Sequence, residues 1–234
     1  MQQIVAMGGG GFSMDPDNPA LDRYIIEQTG KDQPCVCFLP QASGEAQDYI
    51  VNFYTAFLAL NTIPSHLSLF RPHTADIEGF LMKQDLIYVG GGNTRSMLAL
   101  WREWGIDTIL RAALEKGTVL AGLSAGAICW FEQGITDSIP GTLTAIDCLG
   151  FLPGSCSPHY NGELARRPNF QRMIASGELK PGIALDDFAA GHYVDGHLRR
   201  VISARPRAQG YRVERTGDHA RETLMETHFI GEGP

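Results

Sequence analysis

An α/β fold with a mostly parallel sheet and helices on both of its faces is predicted by three observations. Short apolar runs alternate with amphipathic stretches from Ile4 to Phe131. Several of those runs are apolar throughout, as strands covered on both faces must be. Glycine-rich loops follow three of them, after Met7, after Val89 and around Ser124, where α/β sheets collect their functional groups.

In chain order, Ile4–Met7 reads as a buried first strand ending in Gly8-Gly9-Gly10-Gly11. Leu21, Tyr24, Ile25 and Gln28 give residues 18–30 a helical spacing. Residues 34–40 form a second strand closed by Pro40, and Ile50, Phe53, Tyr54 and Phe57 mark a helix over 48–60. His66–Phe70 alternates more and reads as a third strand near an edge. A short helix over 75–82 precedes the strand Leu86–Val89, which runs into Gly90-Gly91-Gly92-Asn93. Helices over 96–101 and 107–116 lead to the strand before Ser124, and Ala127–Phe131 reads as the helix after it.

The second half is less regular. Residues 134–158 read as loop-rich, 169–176 as helix, and Gly182–Leu185 as a short strand ending in Asp186-Asp187. Residues 189–202 alternate around Asp195-Gly196, the pattern of a β-hairpin. Tyr211–Val213 is another short strand, and the charged tail from Thr216 reads as terminal decoration. A single α/β catalytic domain over 1–234 is expected, with the hairpin and a short tail after about residue 190.

Composition narrows the function. The net charge of −7 argues against a nucleic-acid surface. No apolar run reaches membrane-spanning length, and no basic segment precedes the first apolar run. Five cysteines (Cys35, Cys37, Cys129, Cys148, Cys156) form no Cys-x-x-Cys pair and read as reduced thiols of a cytoplasmic protein. No metal motif is present, and neither glycine loop has the lysine or spacing of a nucleotide cradle, so no cofactor is expected.

The chemistry centres on Gly122-Leu123-Ser124-Ala125-Gly126. Strand, sharp turn and helix with serine at the apex make a nucleophile elbow. The small residues let strand and helix pack closely. A serine needs a base to take its proton and an acid to orient that base. Among seven histidines, His159 in Ser157-Pro158-His159-Tyr160 stands out because proline stiffens the chain before it. His192 is the second choice. Asp137 lies between serine and histidine in the chain, and Glu132, Asp186 and Asp187 are open as acids. For the oxyanion, the N–H of Ala125 is one donor, and Gly91 or Gly92 supplies a second.

These motifs together resemble the peptidase E family of serine peptidases, relatives of cyanophycinase. The resemblance runs from about Ile4 to Val201. It rests on Phe38–Ser43, Tyr88–Thr94, Gly122–Ala127, Ser157–Tyr160 and Gly182–Asp187. It implies a flavodoxin-like three-layer sandwich, as in class I glutamine amidotransferases. It implies Ser124 as nucleophile, His159 as base, Asp137 as acid with Glu132 as alternative, and an oxyanion N–H from Gly91. The activity implied is hydrolysis of short peptides, with a preference for N-terminal aspartate if Arg166 or Arg167 holds a carboxylate. Asn93 is a further candidate substrate contact. A short peptide is the expected partner, and the chain is expected as a monomer or homodimer. Three rivals stand beside it: a cyanophycinase-like β-Asp-Arg peptidase, an α/β-hydrolase esterase using His219 or His228, and a non-enzymatic small-molecule sensor.

Overall fold

The computed structural model describes residues 1–231. It opens with β1 (Gln3–Met7), α1 (Ala20–Glu27), β2 (Cys35–Leu39), α2 (Gln47–Ala59), β3 (Ile63–His66), α3 (Ile77–Leu81) and β4 (Leu86–Val89). Helices α4 (Thr94–Trp104) and α5 (Ile106–Lys116), strand β5 (Val119–Leu123) and the one-turn helix α6 (Ala125–Ile128) follow. The rest is β6 (Phe131–Ile139), β7 (Thr142–Asp147), β8 (Leu152–Ser157), α7 (Arg166–Ser176), β9 (Gly182–Leu185), β10 (Ala189–Val194), β11 (His197–Ser203), β12 (Gly210–Thr216), β13 (His219–Leu224) and β14 (Thr227–Phe229).

The main sheet has the order β14-β11-β10-β1-β5-β4-β2-β3. From β3 to β1 every pair is parallel, and β10 then runs antiparallel to β1. The alternation of the strands divides two cores. Ile4, Ala6, Cys37, Leu39, Ile87, Val89 and Leu120 face α3, α4 and α5. Val5, Met7, Val36, Phe38, Leu86, Tyr88, Val119 and Ala121 face α1 and α2. Both faces are covered, which is why these strands are apolar at every position.

A second sheet, β13-β12-β9-β8-β6-β7, is the feature the sequence hid. Residues 134–158, expected as loop, supply most of β6 and all of β7 and β8. The tail expected as decoration supplies β13 here and β14 on the edge of the main sheet. Here the strands are partly polar, and Pro140, Gly141, Gly150, Pro153 and Gly154 lie in or between them, so their period is weak. One side of this sheet carries α7, whose Phe170, Met173 and Ile174 pack on Ile135, Ala184 and Val213. From the other side Phe131, Cys156, Ile183 and Leu185 join the core under the main sheet.

Two further expectations shift. The third strand is Ile63–His66, earlier than His66–Phe70, and it lies on the sheet edge, where Pro64 is tolerated. The helix after Ser124 stops at Ile128, because Phe131 already pairs with Leu152 in the second sheet. The hairpin over 189–202 forms as β10 and β11, and Asp195 and Gly196 both take positive φ (48° and 79°) in its turn.

Candidate active site

Ser124 joins β5 to α6 with φ 54° and ψ −113°, a backbone conformation that side chains rarely adopt. The fold holds it there from several sides. Its N–H donates to the Met7 carbonyl at 3.2 Å, and its carbonyl accepts the N–H groups of Ala127 and Ile128. The two flanking glycines permit the bend. A Cβ on Gly122 would lie 2.4 Å from the Gly126 carbonyl oxygen, and one on Gly126 would lie 2.3 Å from that of Val89. Only hydrogen fits at either position.

His159 follows β8 and also has positive φ, 52°. Its N–H donates to the Gly8 carbonyl at 3.0 Å. Ser124 and His159 are therefore tied to consecutive peptides, Met7 and Gly8, at the C-terminal end of β1. The imidazole Nδ1 lies 2.6 Å from Oδ1 of Asp187, and each side chain is only 14% exposed. Asp187 stands at the end of β9, and its N–H donates to Asn161 Oδ1 at 2.9 Å. Glycines wrap the pair. A Cβ on Gly9 would fall 2.2 Å from Asp187 Oδ1 and 3.0 Å from His159 Nδ1, and one on Gly162 would fall 2.0 Å from Asp187 Oδ2.

The expected acids lie elsewhere. Asp137 is 62% exposed and sits 3.3 Å from the Arg166 guanidinium. Glu132 accepts hydrogen bonds from Lys180 Nζ and the Gly154 N–H, which hold its carboxyl below the usual range. Neither bonds to His159. The resemblance pointed to Asp137, but that residue lies on β6, at the irregular end where β6 pairs with β7 in the second sheet, whereas β9 runs beside β8 and delivers Asp187 next to His159. Asp186, beside it, faces inward to the Gln209 N–H, and burial pushes its carboxyl up to about 6. The informative signal was the acid pair closing a short apolar strand.

The other histidines are placed away from the serine. His192 is buried between Tyr24 Oη and Gln3 Oε1, and burial lowers its pKa to about 4. His219 and His228, needed by an esterase, are exposed residues of β13 and β14.

Of the two expected oxyanion donors, one is open and the other engaged. Ala125 N–H begins α6 and has no acceptor among the described residues. Gly91 lies against the elbow, since its Cβ would be 3.3 Å from Ser124 Cβ, but its N–H donates to Tyr49 Oη at 3.2 Å. Gly90 N–H goes to the Leu39 carbonyl and Asn93 N–H to that of Ala42. Gly92 N–H is left in this turn without an acceptor among the described residues.

The expected substrate residues are already engaged. Asn93 caps α4 through Ser96 N–H and donates to the Ser138 carbonyl. Arg166 is 1% exposed and binds Glu163, Asp137 and the Ile135 carbonyl. Arg167 pairs with Glu222 and lies over the rings of Tyr160 and Tyr211. Among the described residues no cluster of three or more His, Cys, Asp or Glu is arranged to hold a metal. All five cysteines are unpaired, and among the described residues no helix is long and apolar enough to cross a membrane.

Known proteins match this chain over most of its length. The model of peptidase family S51 matches residues 4–201. The uncharacterized peptidase YgaJ of Bacillus subtilis (strain 168) is 52% identical over 231 residues, covering 99% of this chain and 100% of that protein. Peptidase E of Pasteurella multocida (strain Pm70) is 28% identical over 196 residues, covering 79% and 80%. The crystal structure of a peptidase from an acI-B1 Actinobacterium has the same fold at a TM-score of 0.71, with 15% identity and coverage of 96% and 95%. A putative peptidase E protein from Listeria monocytogenes EGD-e matches at 0.57, with 18% identity and coverage of 97% and 100%. A family model that matches most of the chain, together with an elbow serine and a hydrogen-bonded histidine–aspartate pair tied to consecutive peptides of β1, leads to one conclusion: the protein belongs to peptidase family S51 and is a serine-type peptidase.

Proposed function

We propose that the protein hydrolyses short peptides, dipeptides foremost, through Ser124, His159 and Asp187. The observation that carries the proposal is the strained Ser124, tied at β1 to the peptide next to the one that holds His159, with Asp187 on the far nitrogen of the imidazole. His159 Nε2 takes the hydroxyl proton of Ser124 as its oxygen attacks the scissile carbonyl. Asp187 accepts the Nδ1 proton, fixes the tautomer and stabilises the imidazolium. The N–H groups of Ala125 and Gly92 receive the oxyanion. His159 then protonates the leaving amine, and a water activated by the same nitrogen hydrolyses the acyl-enzyme.

The proposal does not include a strict N-terminal aspartate requirement. A free carboxylate is held best by an arginine whose fork is open, and Arg166 is buried with its hydrogen bonds made while Arg167 is paired. A cytoplasmic setting agrees with five unpaired cysteines.

A dipeptide panel tests this, with Asp-X, other N-terminal residues and β-Asp-Arg side by side, on the native protein and on Ser124→Ala. Amino acid release from α-dipeptides should occur and vanish in Ser124→Ala. Cleavage of β-Asp-Arg alone would transfer the site to the cyanophycinase-like reading. Hydrolysis that survives in Ser124→Ala would remove the serine mechanism.

A further inference from the structure

Tyr49 lies on α2, outside the residues that handle the proton, yet its hydroxyl reaches the turn beside Ser124. Tyr49 Oη accepts the Gly91 N–H at 3.2 Å. The ring touches the same turn, since a Cβ on Gly90 would lie 3.0 Å from Tyr49 Cε1. On its other sides the ring packs against Phe12 (centroids 5.4 Å) and edge-on to Phe38 (5.0 Å). Phe12 belongs to the glycine loop after β1. Gly9 of that loop lies against His159 and Asp187. One side chain thus bridges the loop that backs the base and the turn that abuts the nucleophile.

The hydrogen bonds of the turn give this contact a consequence. Gly90 N–H is held by Leu39, Gly91 N–H by Tyr49, and Asn93 N–H by Ala42. The peptides on either side of Gly91–Gly92 are pinned, and the peptide between them keeps its N–H open. A glycine turn has little conformational preference of its own. Without an anchor its peptides would rotate, and an oxyanion site must be set before charge develops to be effective. Burial raises the pKa of Tyr49, so its hydroxyl stays neutral and accepts the N–H bond across the working pH range.

We infer that Tyr49 is a positioning residue for the oxyanion site, fixing the Gly90–Gly92 turn through the Gly91 N–H so that the Gly92 N–H is presented toward the carbonyl attacked by Ser124. The inference rests on the hydrolytic reading of the site.

Tyr49→Phe tests it, because the ring and its packing stay and only the acceptor is lost. Three quantities are read on the native protein and the variant: kcat and KM on a cleaved dipeptide, inhibition by a peptide boronate that forms a tetrahedral adduct on serine, and amide exchange at Gly91 by NMR. The melting temperature checks the fold. The expected result is a fall in kcat of about 10-fold, part of the loss seen when a whole oxyanion donor is removed. KM should stay within about twofold, boronate affinity should fall in parallel with kcat, and Gly91 exchange should quicken. Unchanged kcat, or a fall in kcat with boronate affinity and Gly91 exchange unaltered, overturns the role of Tyr49. A native protein that cleaves nothing and ignores the boronate would sink the catalytic reading instead, a result separate from the exchange at Gly91.

Discussion

The two sheets contribute to the site in different ways. The main sheet delivers Ser124 through a strand buried on both faces and a turn whose two glycines tolerate no side chain. The second sheet delivers His159 and Asp187 through loops at the ends of β8 and β9, neighbouring parallel strands. Ser124 is thus placed by local chain geometry, and the His159–Asp187 pair by which strands of another sheet lie side by side. A local device leaves its mark in a few consecutive residues. A pairing between strands leaves none that can be read along the chain.

That contrast is broken or upheld most sharply by the acids. Asp187→Asn should lower kcat/KM about 10²–10⁴-fold with the fold retained, as loss of the imidazole's partner does in a triad. Asp137→Asn and Glu132→Gln should stay within about threefold of the native protein, since both carboxylates face solvent and basic side chains. Steady-state kinetics on one cleaved dipeptide measures all three. A collapse in Asp137→Asn with Asp187→Asn active would restore the acid expected from the resemblance.

How much could be read beforehand follows the same division. The parallel half was legible because each strand is a continuous apolar run, and the elbow because only glycine fits at positions 122 and 126. His159 was legible from its proline-fixed loop. The second sheet was not, because β6, β7, β12 and β13 alternate polar and apolar residues irregularly, with β7 and β13 on the sheet edges. Asp187 was one open acid among four, and its selection needed the β8–β9 pairing. Gly91 was preferred over Gly92 as a donor, and only the Tyr49 contact, remote in sequence, separates them.

Arginine behaviour sharpens the contrast on the side of stability. Arg166 and Arg167 are adjacent, and both were candidates for substrate binding. Arg166 threads from α7 to the carbonyl of Ile135 on β6 and is buried among its partners. Arg166→Leu should destabilise the protein by about 3 kcal/mol, because a buried acceptor loses its donor and Glu163 and Asp137 lose their counter-charge. Arg167→Ala, whose side chain is half exposed, should cost about 1 kcal/mol or less. Urea unfolding of both variants gives the difference. Equal losses would mean that α7 is not fastened to the second sheet through Arg166.

The smallest effect probes the main-sheet side, under the glycine loop. Asp22 is buried beside Gly11 and Tyr88, and its Oδ1 has no hydrogen-bond partner among the described residues. Burial pushes its carboxyl up to about 7. Between its unfolded value, about 4, and about 7, the folded protein holds a proton that the unfolded chain releases. Stability from this group is therefore full at the acid end of that window and falls as pH rises through it. Asp22→Asn removes the titration and keeps the shape. The gap in unfolding free energy between variant and native protein should move in favour of the variant by about 1–3 kcal/mol from pH 5 to pH 8. Denaturant melts at both pH values measure it. A gap that does not move would mean that a charged Asp22 is stabilised inside the fold by contacts beyond its neighbours Gly11 and Tyr88, and the loop that backs His159 would then rest on an ion and not on a neutral acid.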